Sequence, residues 1–193
     1  MEIDEISAMA RRLAVAFNIG SPEVEFGRTS RWSHTGISLR ERGGNLVLVI
    51  GPPFDALRPA EREAILAEVC AGYKVYPRTF GRLGRALLGH LVVLTLVISL
   101  ANIPFGVPGW VNILGVGLFP GGWLLIFVLW LRWFSYQSDR AVVEALGRPV
   151  IDVALDFDRR HPVKPSVIRW LVPGVAKRRS RLETARGSAA PAT

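Results

Sequence analysis

The chain has 193 residues, 24 Lys and Arg against 16 Asp and Glu for a formal charge of +8, and 50% hydrophobic residues. A mean hydropathy of +0.29 argues against an ordinary freely soluble enzyme. The single cysteine, Cys70, excludes a disulfide-stapled secreted fold.

The charge is segregated along the chain. Residues 1–70 carry 8 basic and 10 acidic side chains, and residues 71–85 carry Lys74, Arg78, Arg82 and Arg85 with no acid. Residues 86–131 carry no formal charge, and residues 132–193 carry 12 basic and 6 acidic side chains. Such a long uncharged stretch needs a non-aqueous environment.

In chain order, Ile3, Ile6, Ala10, Leu13 and Phe17 recur at three- and four-residue intervals, which predicts an amphipathic helix ending near Asn18-Ile19-Gly20. The runs Val24 to Phe26, Ile37 to Leu39 and Leu46 to Ile50 are short, β-prone and separated by glycine-containing turns, which predicts a small antiparallel sheet closed by Gly51-Pro52-Pro53. Pro59-Ala60-Glu61-Arg62-Glu63 reads as a helix start, with proline in the first turn and acids at the positive end of the dipole. That helix runs on through Glu68, Val69 and Cys70, over about 59–75.

Ala86 to Ile103 is apolar apart from His90, Thr95, Ser99 and Asn102 and, as a helix, reaches ~27 Å, about one hydrocarbon thickness. Pro104-Phe105-Gly106-Val107-Pro108-Gly109 then turns the chain. A second apolar run from Trp110 to Leu131 follows, interrupted at Pro120-Gly121-Gly122, where a kink or a re-entrant turn is expected. Trp110, Trp130 and Trp133 sit where an interfacial aromatic belt would. Both flanks are basic, so the positive-inside rule places both ends in the cytoplasm and the connecting loop outside, with the plasma membrane as the expected location. The acidic opening Met1-Glu2-Ile3-Asp4-Glu5 does not resemble a cleavable signal.

Four parts are therefore expected: a cytoplasmic α+β part over 1–85, a transmembrane hairpin over 86–131, a cytoplasmic helical part over 132–172 and a basic, disordered tail over 173–193. In the tail, Lys177, Arg178, Arg179 and Arg181 are expected to meet anionic lipid headgroups. No aromatic-interleaved basic groove points to nucleic acid.

With these elements in place, the stretches "LxPAEREAILAE", reading from Leu57, and "SDRAVVEALGRP", ending at Pro149, resemble the HtpX-like and CAAX-prenyl-protease-like integral-membrane zinc metallopeptidases. In those enzymes the segment corresponding to Leu57–Gly72 reads approximately "L-T-P-A-E-R-E-A-V-L-A-H-E-L-G-H". A membrane hairpin separates the first two zinc ligands from a third, a glutamate four residues before an aspartate. The resemblance extends from about residue 10 to about residue 172, and includes Gly147 and the His161-Pro162 and Arg169 element. It implies an α+β fold in which a two-helix transmembrane hairpin is inserted between the two active-site helices.

Carried over residue by residue, the resemblance points to a lost metal site. H-E-x-x-H chemistry needs two imidazoles at i and i+4 to hold Zn²⁺ and a glutamate to activate the bound water. This chain has Glu68 at the first ligand position, Val69 at the general-base position, Gly72 at the second ligand position and Ser135 at the third. The aspartate that supports a ligand from behind survives as Asp139.

The expectation is a degenerate, catalytically inactive peptidase-like membrane protein without a cofactor, engaging a polypeptide or a membrane protein. The alternatives are an active metalloendopeptidase holding zinc through Glu68 with His161 or Asp139, and a plain membrane anchor. His34, His90 and His161 show no ligand spacing, and Cys70 reads as a small buried helix residue.

Overall fold

The computed structural model describes residues 3–29, 33, 35–43, 45–105, 109–162 and 171–187, with the backbone alone described at 98, 100–105, 109–118 and 185–187. Six helices and three strands follow in the order α1 (Ile3–Phe17), β1 (Glu23–Phe26), β2 (Ile37–Arg42), β3 (Asn45–Ile50), α2 (Pro52–Asp55), α3 (Pro59–Phe105), α4 (Gly109–Leu146), α5 (Arg148–Arg160) and α6 (Val175–Gly187). His34, the centre of the expected turn at 106–108, Arg169 and residues 188–193 lie outside the described residues. The chain divides into two compact units, one built from 1–75 with 135–193 and the other from 76–134.

In the first unit, α1 buries Ile6, Ala10, Leu13, Ala14 and Phe17, the stripe that its 3–4 spacing predicts. The helix stops in a Schellman motif: Asn18 takes φ 52°, its N–H donates to the Val15 carbonyl and the Ile19 N–H to the Ala14 carbonyl, both at 3.0 Å.

The sheet has the order β1-β3-β2, with β1 parallel to β3 and β2 antiparallel to it, so the expected all-antiparallel arrangement is corrected to a mixed one. The reason lies in β3, where Leu46 to Ile50 are all buried. A strand apolar on both faces belongs in the middle of a sheet. The connection from Gly27 to Gly36 is long enough to carry β2 to the far edge and leave that middle place to β3. Where a closing turn is expected after β3, Pro52 and Pro53 instead open α2, whose Phe54 is fully buried.

The first turn of α3 is fixed by the glutamate half of a capping box. Glu61, at the third helical position, accepts the Arg58 backbone N–H at 3.0 Å, and its other oxygen takes Arg58 Nη2 at 2.6 Å. Arg160, at the C-terminal end of α5, donates to the same oxygen at 2.5 Å and ties the two helices together. The Arg58 hydrogen bond, working against burial and joined by Arg160, holds the Glu61 carboxyl down at about 2. Between α4 and α5 the chain turns at Gly147 with φ +87°, a conformation that side chains other than glycine's rarely adopt. Ile65, Leu66, Val142, Ile151 and Leu155 complete the core with α1 and β3.

The second unit consists of α3 from Tyr76 onward and α4 up to Phe134. α3 is long and apolar enough to cross a membrane, with a window of mean hydropathy 1.4 that is only 6% buried. Leu88, Val93, Leu96 and Val97 of α3 and Leu124, Leu125 and Leu129 of α4 are exposed. α4 continues as a helix through Pro120. Trp130 Nε1 donates to the Thr79 carbonyl at 3.0 Å, and Thr79 is itself buried.

Candidate functional site: an arginine shared by three carboxylates

Four helices of the first unit each place one charged residue on an otherwise buried face. On α3, Glu68 follows Ala64 and Ile65 at helical spacing, and on α4 Asp139 lies beside Ser138 and one turn before Val142. On α5, Ile151, Ala154, Leu155 and Asp158 share a stripe, and on α6 Arg178 sits between the partly buried Val175 and Leu182. Such positions are tolerated only where the charges meet one another.

They meet at the Arg178 guanidinium, whose residue is 8% exposed. Its Nε donates to Asp139 Oδ2 at 2.8 Å and its Nη2 to Asp139 Oδ1 at 2.5 Å, a bidentate fork. Nη2 also donates to Glu68 Oε1 at 2.6 Å, and Nη1 donates to Asp158 Oδ2 at 2.7 Å. Burial works against the Arg178 charge, and the bonds from Asp139 with the charges of Glu68 and Asp158 outweigh it, holding the group protonated above its ordinary range. One positive charge faces three carboxylates. Burial pushes Glu68 up to about 7; Arg178 opposes the rise, and the negative charges of Asp158 and Asp139 add to it.

Around this centre α6 is docked by further ion pairs. Arg179 reaches Asp156 at 2.9 Å, and Arg148 reaches Glu183 at 3.3 Å. The Arg181 guanidinium lies 4.9 Å from the Tyr136 ring centroid. Tyr136, Gln137, Arg140, Arg181, Leu182 and Thr184 line a cleft of about 270 Å³ that has Asp139 and Arg178 in its wall.

Two expectations about the C-terminal segment are thereby corrected. Residues 175–187 form a helix instead of a disordered tail, because pairing with α3, α4 and α5 supplies the fixed partners that composition alone does not reveal. Arg178, expected among the headgroup-facing residues, points into the protein.

Of the positions singled out by sequence, Glu68 and Asp139 come together on Arg178. Val69 packs against the core, Gly72 offers no side chain, and Ser135 stands one turn before Asp139 on α4. The three carboxylates that converge here are all bonded to the Arg178 guanidinium, so the arrangement does not fit a catalytic zinc ion, which needs about three ligands turned toward it and an open fourth position. Among the described residues, no three His, Cys, Asp or Glu side chains are grouped as metal ligands. His161 caps α5, and its ring is stacked on that of Phe157 with centroids 4.6 Å apart. Cys70 is buried, and burial pushes its thiol up to about 11, which leaves it a poor nucleophile.

Arg178 and Asp158 are the two members of the cluster that sequence reasoning missed. The available signal was their place at apolar-stripe positions of α6 and α5. Compared with family models, curated proteins and solved structures, the chain matches none.

Proposed function

We propose that this protein is a membrane-anchored, peptidase-like binding or regulatory protein in which an arginine has taken the place of a catalytic metal. The reading joins the resemblance over Leu57–Gly72 and Ser138–Pro149 to one observation: Arg178 Nη2 bonds both Glu68, at the first ligand position of the pattern, and Asp139, its surviving aspartate. A guanidinium here supplies positive charge and fixed N–H donors, so the carboxylates are neutralised without a metal. It cannot ionise a water for attack on a peptide bond, and Val69 offers no base.

On this reading residues 86–131 cross the bilayer twice. Their lack of charge, the exposure of the α3 window and the basic flanks support that arrangement, with both ends on the cytoplasmic side. The cytoplasmic unit then presents a closed, charge-paired site suited to holding a polypeptide or a neighbouring membrane protein.

Metal analysis of the detergent-purified full chain tests the proposal. We expect less than one-tenth of an equivalent of zinc after dialysis against micromolar zinc, both in wild type and in Glu68→Ala. One equivalent in wild type that disappears in Glu68→Ala overturns the reading in favour of an active metallopeptidase.

A further inference from the structure

Residues 76–134 carry four arginines, Arg78, Arg82, Arg85 and Arg132, and no Asp or Glu. Of these, Arg82 is exposed and has no carboxylate partner among the described residues, so it is the one placed to meet an external anion. Arg82 is held in a defined place: its guanidinium lies 4.8 Å from the Trp133 ring centroid. Beneath this pair an open groove of about 300 Å³ runs between α3 and α4, lined by Leu83, Ala86, Ile126, Leu129 and Trp130 as well as Arg82 and Trp133. The walls are almost wholly apolar, and Trp130 spends its one donor on the Thr79 carbonyl, so the indole shows the groove a hydrocarbon face.

The groove therefore has two chemistries in sequence along the helices. Arg82 and Trp133 lie at the charged, aromatic border of the uncharged run, and Ala86, Ile126 and Leu129 lie within it. An amphiphile whose anionic head is joined to an alkyl chain matches that order, and neither a soluble anion nor a neutral lipid matches both halves. We infer that this groove is a binding site for one anionic phospholipid, with the phosphate at Arg82 and the first part of an acyl chain against Leu83, Ala86, Ile126 and Leu129. This inference rests on the membrane insertion proposed above. It moves headgroup recognition from the α6 arginines, where Arg178 and Arg179 are taken up by carboxylates, to the start of the hairpin.

The test is native mass spectrometry of the detergent-solubilised full chain with equal amounts of phosphatidylglycerol and phosphatidylcholine. Wild type should retain phosphatidylglycerol about fivefold over phosphatidylcholine, the preference expected of one arginine near an anionic headgroup. Arg82→Ala should abolish the preference, Leu129→Trp should reduce retention of both lipids by filling the groove, and Arg12→Ala, at a surface pair with Glu63, should change neither. Unchanged preference in Arg82→Ala overturns the site, as does displacement of the lipid by 10-fold excess inorganic phosphate. Carbonate extraction of the protein from phosphatidylcholine liposomes is read separately. Release into the supernatant overturns the membrane reading itself, whereas firm insertion without lipid preference overturns the groove alone.

Discussion

Arg178 on α6 and Asp139 on α4 form a bidentate ion pair, 2.8 Å and 2.5 Å long, between residues 39 apart in sequence and both nearly inaccessible to water. A fork of this kind fixes the orientation of both side chains, and the remaining guanidinium donors then determine where Glu68 and Asp158 must lie. Three helices are thereby keyed to a fourth by one side chain. Removing that side chain takes from the buried Asp139 and from Glu68 the counter-charge they share, a far greater penalty than losing a surface pair.

Arg178→Ala should accordingly destabilise the unit containing it by about 3 to 5 kcal/mol, the range for breaking a buried pair from one side. Denaturant unfolding of the detergent-solubilised chain, followed by a probe on α6, measures this. Adding Glu68→Gln and Asp139→Asn to Arg178→Ala should recover part of the loss by removing the stranded charge. A single substitution costing no more than an exposed pair, about 0 to 1 kcal/mol, would show that the cluster does not anchor α6.

Glu68 gives the protein an unusual dependence on pH. Its ordinary value is 4.5 and its value in the folded protein is about 7, so between these limits the folded chain holds a proton that the unfolded chain has released. The contribution is present in full at the acidic end of that window and is lost as pH rises through about 7, so the unfolding midpoint should be higher at pH 6 than at pH 8. Glu68→Gln mimics the protonated acid and can still accept from Arg178, so it should flatten this slope and match or exceed wild type at pH 8. A wild-type midpoint that rises from pH 6 to pH 8, or a slope retained in Glu68→Gln, contradicts the assignment. Glu61 acts in the opposite direction: its lowered value adds stability above about 4.5 that is lost as pH falls toward about 2, so acid unfolding is governed by a different carboxylate.

The elements of the fold were legible in the sequence wherever periodicity was unambiguous. Ile6, Ala10, Leu13 and Phe17 give away α1, and the Pro59-Ala60-Glu61 start gives away α3 with its capping glutamate. The strands were legible but their pairing was not, because local pattern says nothing about which strand takes the middle. The two-sided apolar run of β3 was the clue that decides it. The site was half legible: Glu68 and Asp139 stood out through the resemblance to a motif, whereas Arg178 was hidden in a run of four cations that composition treats alike. Only the position of Arg178 between Val175 and Leu182, on the one face of α6 turned inward, separates it from Lys177, Arg179 and Arg181.

Gly122 and His90 provide a test inside the second unit. A Cβ added at Gly122 would run into the His90 imidazole, and that ring is stacked on Phe119 with centroids 6.3 Å apart. The histidine Nε2 is buried, with no hydrogen-bond partner among the described residues, so packing holds the ring in place. Gly122→Ala should therefore force the imidazole off Phe119 and cost about 1 to 3 kcal/mol, as overpacking does. His90→Ala removes the obstacle, so Gly122→Ala made in that background should cost far less, giving a coupling of about 1 kcal/mol or more in a double-mutant cycle. Unfolding of the purified chain in mixed micelles supplies the four stabilities. If Gly122→Ala is equally costly with and without His90, the glycine is needed for a reason other than this contact, and the close approach of α3 and α4 at that point does not depend on the pair.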